Sequence, residues 1–92
     1  MAKRIVFSKK AEIDLITIVE FNNLRNQSDT YSRRILLKLT KRLKLLLEQP
    51  LNGIKTDANT LLLIWDQFYV FYSFDNDIIK VESIYHQKQN VR

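Results

Sequence analysis

Cysteine is absent from this 92-residue chain, and glycine, proline, histidine and tryptophan occur once each. Without thiols there is no disulfide, no thiolate nucleophile and no cysteine-based zinc site. One histidine and no clustered carboxylates argue against a transition-metal site, and no metal or cofactor is expected. With Gly53 and Pro50 the only residues of their kind, little is available for long flexible linkers. Long apolar runs are also missing. The opening residues Met1-Ala2-Lys3-Arg4-Ile5 form neither a signal peptide nor a membrane span, so a cytoplasmic protein with no membrane partner is expected.

What is present can build a core. The chain is 46% apolar, with five phenylalanines and four tyrosines, and residues 1–92 are expected to form a single domain. The net charge of +5 suits a polyanion or an acidic protein partner.

Ile5-Val6-Phe7 is short and β-prone, and Ser8 stands where a helix N-cap belongs. Ala11, Leu15, Ile18 and Val19 then share a helical face, which predicts a helix over Lys9 to Leu24. A polar, turn-prone link follows, in which Ser28 or Asp29 can cap a second helix. Tyr31, Ile35, Leu39, Leu43 and Leu46 or Leu47 repeat at helical spacing until Pro50 stops the pattern. Two helices joined this closely form an antiparallel hairpin. Residues 50–59 read as a loop. Leu61 to Trp65, Phe68 to Phe74 and Ile78 to Tyr85 read as strands, the last two joined by the turn Asp75-Asn76-Asp77. The order β-α-α-β-β-β predicts an α+β fold: a small, mostly antiparallel sheet with the hairpin on one face.

The late strands are too apolar for a sheet covered on one side. Val70, Tyr72 and Phe74 point one way and Tyr69 and Phe71 the other, while Leu61 to Trp65 is apolar in both directions. Strand twist, a second copy or a partner chain would cover the second face. Leu62, Ile64, Trp65, Tyr69 and Phe71 are the candidate contact residues. The second helix carries Arg33, Arg34, Lys38, Lys41, Arg42 and Lys44 with no acid before Glu48. Arg34, Lys38 and Lys41 fall at i, i+4 and i+7, and with Arg42 they are the candidates for a phosphate backbone or an acidic partner; a solvated face is the plainer reading. Last comes Tyr85-His86-Gln87-Lys88-Gln89-Asn90. A histidine at a strand end can move protons near neutral pH, and lysine and amides can hold a phosphate; equally, the segment can be a polar tail.

In this order and spacing the motifs resemble the RelE/ParE superfamily of toxins from bacterial type II toxin–antitoxin modules. Ser8, Ala11, Asp14, Leu15 and Ile18 fit its first helix, and Leu45 to Leu47 with Pro50 and Gly53 fit the end of its second. Tyr72 and Asp75 fit the end of its third strand, and Ile84, His86, Lys88, Gln89 and Asn90 fit its final strand and tail. The resemblance implies the fold above and a cognate antitoxin that covers the apolar surplus. It offers two mechanisms. RelE-like members enter the ribosome and cleave messenger RNA without a metal, using the RNA's own 2′-hydroxyl. On that reading His86 is the acid or base, Lys55 and Lys88 stabilise the phosphate, and Tyr85 stacks on a base or orients the phosphate. ParE-like members block DNA gyrase and need no catalytic residue. Tyr69 stands where many RNA-cleaving members carry arginine, Val91 replaces a usual proline, and the tail is closer to the ParE-like branch. Messenger-RNA cleavage is the leading expectation, gyrase inhibition the second, and an inactive relative or protein-binding scaffold the third.

Overall fold

Along the chain come strand β1 (Arg4–Phe7), helices α1 (Lys9–Asn26) and α2 (Thr30–Lys44), and strands β2 (Ile54–Lys55), β3 (Leu61–Trp65), β4 (Phe68–Phe74) and β5 (Ile78–His86). The computed structural model describes residues 3–26, 29–57 and 59–87. The five strands form one sheet in the order β1-β5-β4-β3-β2. β1 lies parallel to β5, and every other neighbouring pair is antiparallel. The fold is α+β, as the apolar periodicities imply. One element departs from the expected loop over residues 50–59: a 3-10 turn at Pro50–Asn52 leads into β2, which pairs with Leu61 and Leu62. Two residues are too few to show an alternating pattern, so only the pairing reveals this strand.

Helix α2 is amphipathic and buries Ser32, Ile35, Leu39 and Leu43. Tyr31, placed on the same stripe by spacing, is instead exposed. Asp29 precedes the helix without making a side-chain cap; its carboxylate pairs with Arg33 at 2.7 Å, an exposed i,i+4 contact of little energetic weight. Helix α1 differs. It buries Ala11 and Ile18, yet Ile13, Ile16, Phe21 and Leu24 stand in solvent, so its apolar residues are spread around the helix and not gathered in one stripe. Leu46 and the sheet residues Leu63, Val70, Tyr72, Ile79, Val81 and Ile84 complete the core between the hairpin and the sheet.

Ser8, just before α1, and Asp14 within it fasten that helix to the last strand. Ser8 Oγ accepts the Ala11 N–H at 3.0 Å, the N-cap bond, and donates to the Glu82 carbonyl at 2.7 Å. Asp14 accepts the Ile84 N–H at 2.9 Å and the Lys10 ammonium at 2.9 Å. The Ile84 donor is available because β1 pairs with β5 only as far as Val81. Between Val81 and Ile84 the β4–β5 register shifts: Phe71 faces Ser83 but Tyr72 faces Val81, leaving Glu82 as the extra residue of a bulge. The Asp14 side chain is only 18% exposed. Its replacement by alanine leaves a backbone N–H without its charged acceptor and is expected to cost about 2–3 kcal/mol. Urea unfolding of Asp14→Ala checks this; a loss below about 0.5 kcal/mol, the range of ordinary surface substitutions, would contradict it.

The hairpins close with short polar turns. Asp66 takes the left-handed conformation between β3 and β4, with φ of 53°, which aspartate tolerates better than most residues. Between β4 and β5, Asp75 accepts the Ile78 and Asp77 N–H groups, and these bonds hold its carboxyl below the usual carboxylate range.

Candidate functional site

Cross-strand pairing sorts the late strands into rows, since directly paired residues share a face. On the face away from the helices, one row is Ile64, Tyr69 and Tyr85, and the next is Ile54, Leu62, Phe71 and Ser83. On the helix-covered face the rows are Trp65, Phe68 and His86; then Leu63, Val70 and Ile84; then Lys55, Leu61, Tyr72 and Val81. Most questions about the expected site follow from these rows.

The open face is aromatic and apolar. Tyr69, Phe71, Leu62 and Tyr85 are half-buried, and Ile64 is 49% exposed. Phe71 meets Tyr85 edge to face, with ring centroids 5.9 Å apart. The Lys10 ammonium lies over the Tyr85 ring, 4.4 Å from its centroid, and is also held by Asp14. Burial at this corner by itself would lower the Lys10 pKa, but its contacts with Tyr85 and Asp14 outweigh that and raise it. Lys10 therefore stays cationic at the margin of the aromatic patch. Four of the residues expected to contact a partner, Leu62, Ile64, Tyr69 and Phe71, share this face. Trp65 does not: it stacks on Phe68 at 6.0 Å on the helix side and packs against the core. In an unbroken apolar run such as Leu61 to Trp65, strand phase is not visible in the sequence, and Trp65 falls in phase with Leu61 and Leu63.

Of the residues expected to carry RNA cleavage, the three that are described, His86, Tyr85 and Lys55, are not brought together. Tyr85 lies on the open face and His86 on the covered face, as regular alternation demands. His86 Nε2 is 2.9 Å from Gln67 Oε1, and its ring meets Phe68 edge to face at 5.3 Å. Lys55 shares the His86 face but sits three strands across and four residues along the sheet. At ~3.3 Å per residue and ~4.8 Å per strand that separation is on the order of 20 Å. Lys55 lines instead a shallow groove of about 460 Å³ with Leu51, Gly53, Asp57, Phe74 and others. Lys88, Gln89 and Asn90 lie outside the described residues.

On α2, Arg34, Lys38 and Lys41 are exposed along one stripe, with Arg33 and Lys44 exposed beside them. Arg42 departs from the stripe. It is half-buried at the edge of the core-facing side, and its Nη1 is buried without a hydrogen-bond partner. Spacing shows that it lies on α2 but not that it turns inward. Lys10 was not singled out by the sequence either, because its partner Tyr85 is 75 positions away.

A two-helix hairpin on a mixed five-strand sheet, with an apolar face left open, is consistent with a RelE/ParE-like toxin fold. The chain belongs to the ParE family: residues 5–91 match the family model for the ParE toxin of the type II toxin–antitoxin system, parDE. Membership implies a cognate antitoxin as partner. Comparison with curated proteins finds no match. Among the described residues, no helix is long and apolar enough to cross a membrane.

Proposed function

We propose that this toxin acts by docking on its target, DNA gyrase being the target that the ParE resemblance implies, and that it does not cleave RNA. The observation that carries this reading is the dispersal of His86, Tyr85 and Lys55. Attack of a 2′-hydroxyl on the adjacent phosphate needs a base, an acid and a cation within hydrogen-bond reach of one phosphate group. A lysine roughly 20 Å from the histidine cannot serve the same phosphate, and a tyrosine on the opposite face cannot serve it either. Tyr69 in place of an arginine supports the same reading, because the strand residues of its row, Ile64 and Tyr85, supply no cation, and the Lys10 ammonium beside that row is held by Asp14 and the Tyr85 ring. Ribosome-dependent cleavage of messenger RNA has less geometric support.

The antitoxin, on this proposal, covers the open face through Leu62, Ile64, Tyr69, Phe71 and Tyr85. A patch of half-buried aromatics with the Lys10 ammonium at its margin fits a partner with apolar anchors and an acidic flank. Inhibition of gyrase supercoiling by purified toxin, relieved by the antitoxin, is the expected result. His86→Ala is expected to change that inhibition by less than about tenfold, as an ordinary contact residue does. Full inhibition of growth by a toxin that leaves supercoiling untouched at any concentration would contradict the reading.

A further inference from the structure

The least explained group in the molecule is the Arg42 guanidinium. Its Nη1 is buried and makes no hydrogen bond, the only such side-chain atom among the described residues. Buried polar hydrogens are ordinarily paired, and an arginine fork without an acceptor is a costly arrangement for the free protein. The Tyr72 phenol, on which the Arg42 charge acts, is already engaged. The Tyr72 hydroxyl donates to the Pro50 carbonyl at 2.6 Å and accepts the Gly53 N–H at 2.9 Å. Burial raises the pKa of this phenol, with the Gly53 N–H and then the Arg42 charge acting in the opposite direction, so Arg42 faces a neutral group already committed elsewhere.

The surroundings indicate what would complete the site. Lys38 precedes Arg42 by one helical turn and is exposed; Leu45 follows by three residues and is 53% exposed. Within α2 there is no acidic residue, and Arg33, Arg34, Lys38, Lys41 and Lys44 all stand in solvent. A second copy of this chain would bring the same cations and be repelled. A nucleic-acid backbone would meet the stripe but gains nothing from Leu45. An acidic peptide with an apolar residue beside its carboxylate satisfies all three features.

We propose that Arg42 is the specific anchor for a carboxylate of the antitoxin, while Arg34, Lys38 and Lys41 only steer its approach. The proposal rests on the antitoxin reading above. Arg42 as a residue keeps some exposure, and on this proposal rotation about its side-chain bonds brings the fork onto the incoming carboxylate. A planar fork engages a carboxylate at two points, which a lysine cannot reproduce. The free toxin thus holds an unpaired donor that only the complex satisfies.

Arg42→Met separates this role from a structural one. It removes the unpaired N–H and keeps an unbranched apolar stem, so the free toxin is expected to melt at the same temperature as wild type or higher. Affinity for the antitoxin encoded beside this chain, measured by titration of the purified proteins, is expected to fall about 30- to 1,000-fold. Arg42→Lys is expected to recover only a minor part of the loss. The triple change Arg34→Gln, Lys38→Gln and Lys41→Gln is expected to slow association and flatten its salt dependence, with dissociation little changed. Wild-type binding matched by Arg42→Met would overturn the anchor and leave the antitoxin reading standing. Failure of the wild type to bind the adjacent-frame protein would overturn both. Weakened binding of Arg42→Met to a single-stranded RNA oligonucleotide, with antitoxin affinity intact, would also overturn the anchor. A melting temperature lowered by Arg42→Met, with Arg42→Lys binding as wild type, would reduce Arg42 to a packing residue.

Discussion

Phe71→Asp is expected to release the toxin from its antitoxin, with affinity falling by about 10²- to 10³-fold or more. Phe71 stands at the centre of the open face, between Leu62 on β3 and Ser83 on β5, and its ring meets Tyr85. A partner that covers this face must desolvate that ring. A carboxylate there presents a charge that the partner would bury unpaired, and it repels an acidic flank that Lys10 favours. The fold should survive. No helix lies over this face, and the lost edge-to-face contact is worth about 1 kcal/mol. In cells, co-expression of antitoxin should then fail to rescue growth from the variant. Binding by titration, with a thermal melt of the free variant as control, checks the prediction. An affinity within threefold of wild type would move the antitoxin to another surface, the exposed apolar side of α1 being the next in line.

The second large effect is structural. Gly53 is required for space and not for backbone freedom, since its φ of −85° and ψ of 173° suit any residue. A Cβ at this position would lie 2.6 Å from Tyr72 Oη, 2.8 Å from Tyr72 Cε1 and 2.9 Å from the Leu62 carbonyl oxygen. None of these atoms can yield cheaply. Tyr72 is fully buried in the core and fixed by its two hydrogen bonds to Pro50 and Gly53; the Leu62 carbonyl belongs to the strand that pairs with β2. Gly53→Ala therefore forces the 3-10 turn and β2 away from the sheet. The expected cost is about 3 kcal/mol or more, by overpacking together with loss of the Tyr72 bonds. Tyr72→Phe removes the hydroxyl without the clash and should cost only about 1–2 kcal/mol. Urea unfolding of both variants provides the comparison; equal stabilities would mean that the turn moves freely and that the close approach has no energetic weight.

How much of this was legible in the sequence depends on the range of the interaction. Elements several turns or strides long announced themselves. The buried stripe Ile35, Leu39 and Leu43 marked α2, and the spans of β3 and β4 are those of their apolar runs. Short or long-range features did not. β2 is too brief to carry a pattern, and the parallel pairing of β1 with β5 joins residues more than 70 positions apart. The bulge at Glu82 appears only in the register with β4, and the Asp14 bond to Ile84 joins residues 70 positions apart.

The candidate site was legible in its chemistry but not in its geometry. Aromatic, apolar and cationic residues were recognisable by type. Whether Lys55 and His86 could serve one phosphate depended on strand order, and whether Trp65 faced a partner or the core depended on phase. Neither is encoded locally. Arg42 is the sharpest instance: the sequence places it on α2 among the cations, and only the packing at the edge of the helix turns one of its N–H groups inward.

The central claim is that the toxin acts by contact and without RNA chemistry. The most direct measurement is primer extension on ribosome-bound message from cells expressing wild-type toxin, beside a supercoiling assay with purified gyrase. The account predicts intact message, with no new 5′ ends at any codon, and supercoiling inhibited in proportion to toxin concentration, by wild type and His86→Ala alike. Defined message cleavage by the wild type, lost about 10²- to 10⁴-fold in His86→Ala as befits a general acid or base, with gyrase unaffected, would contradict it.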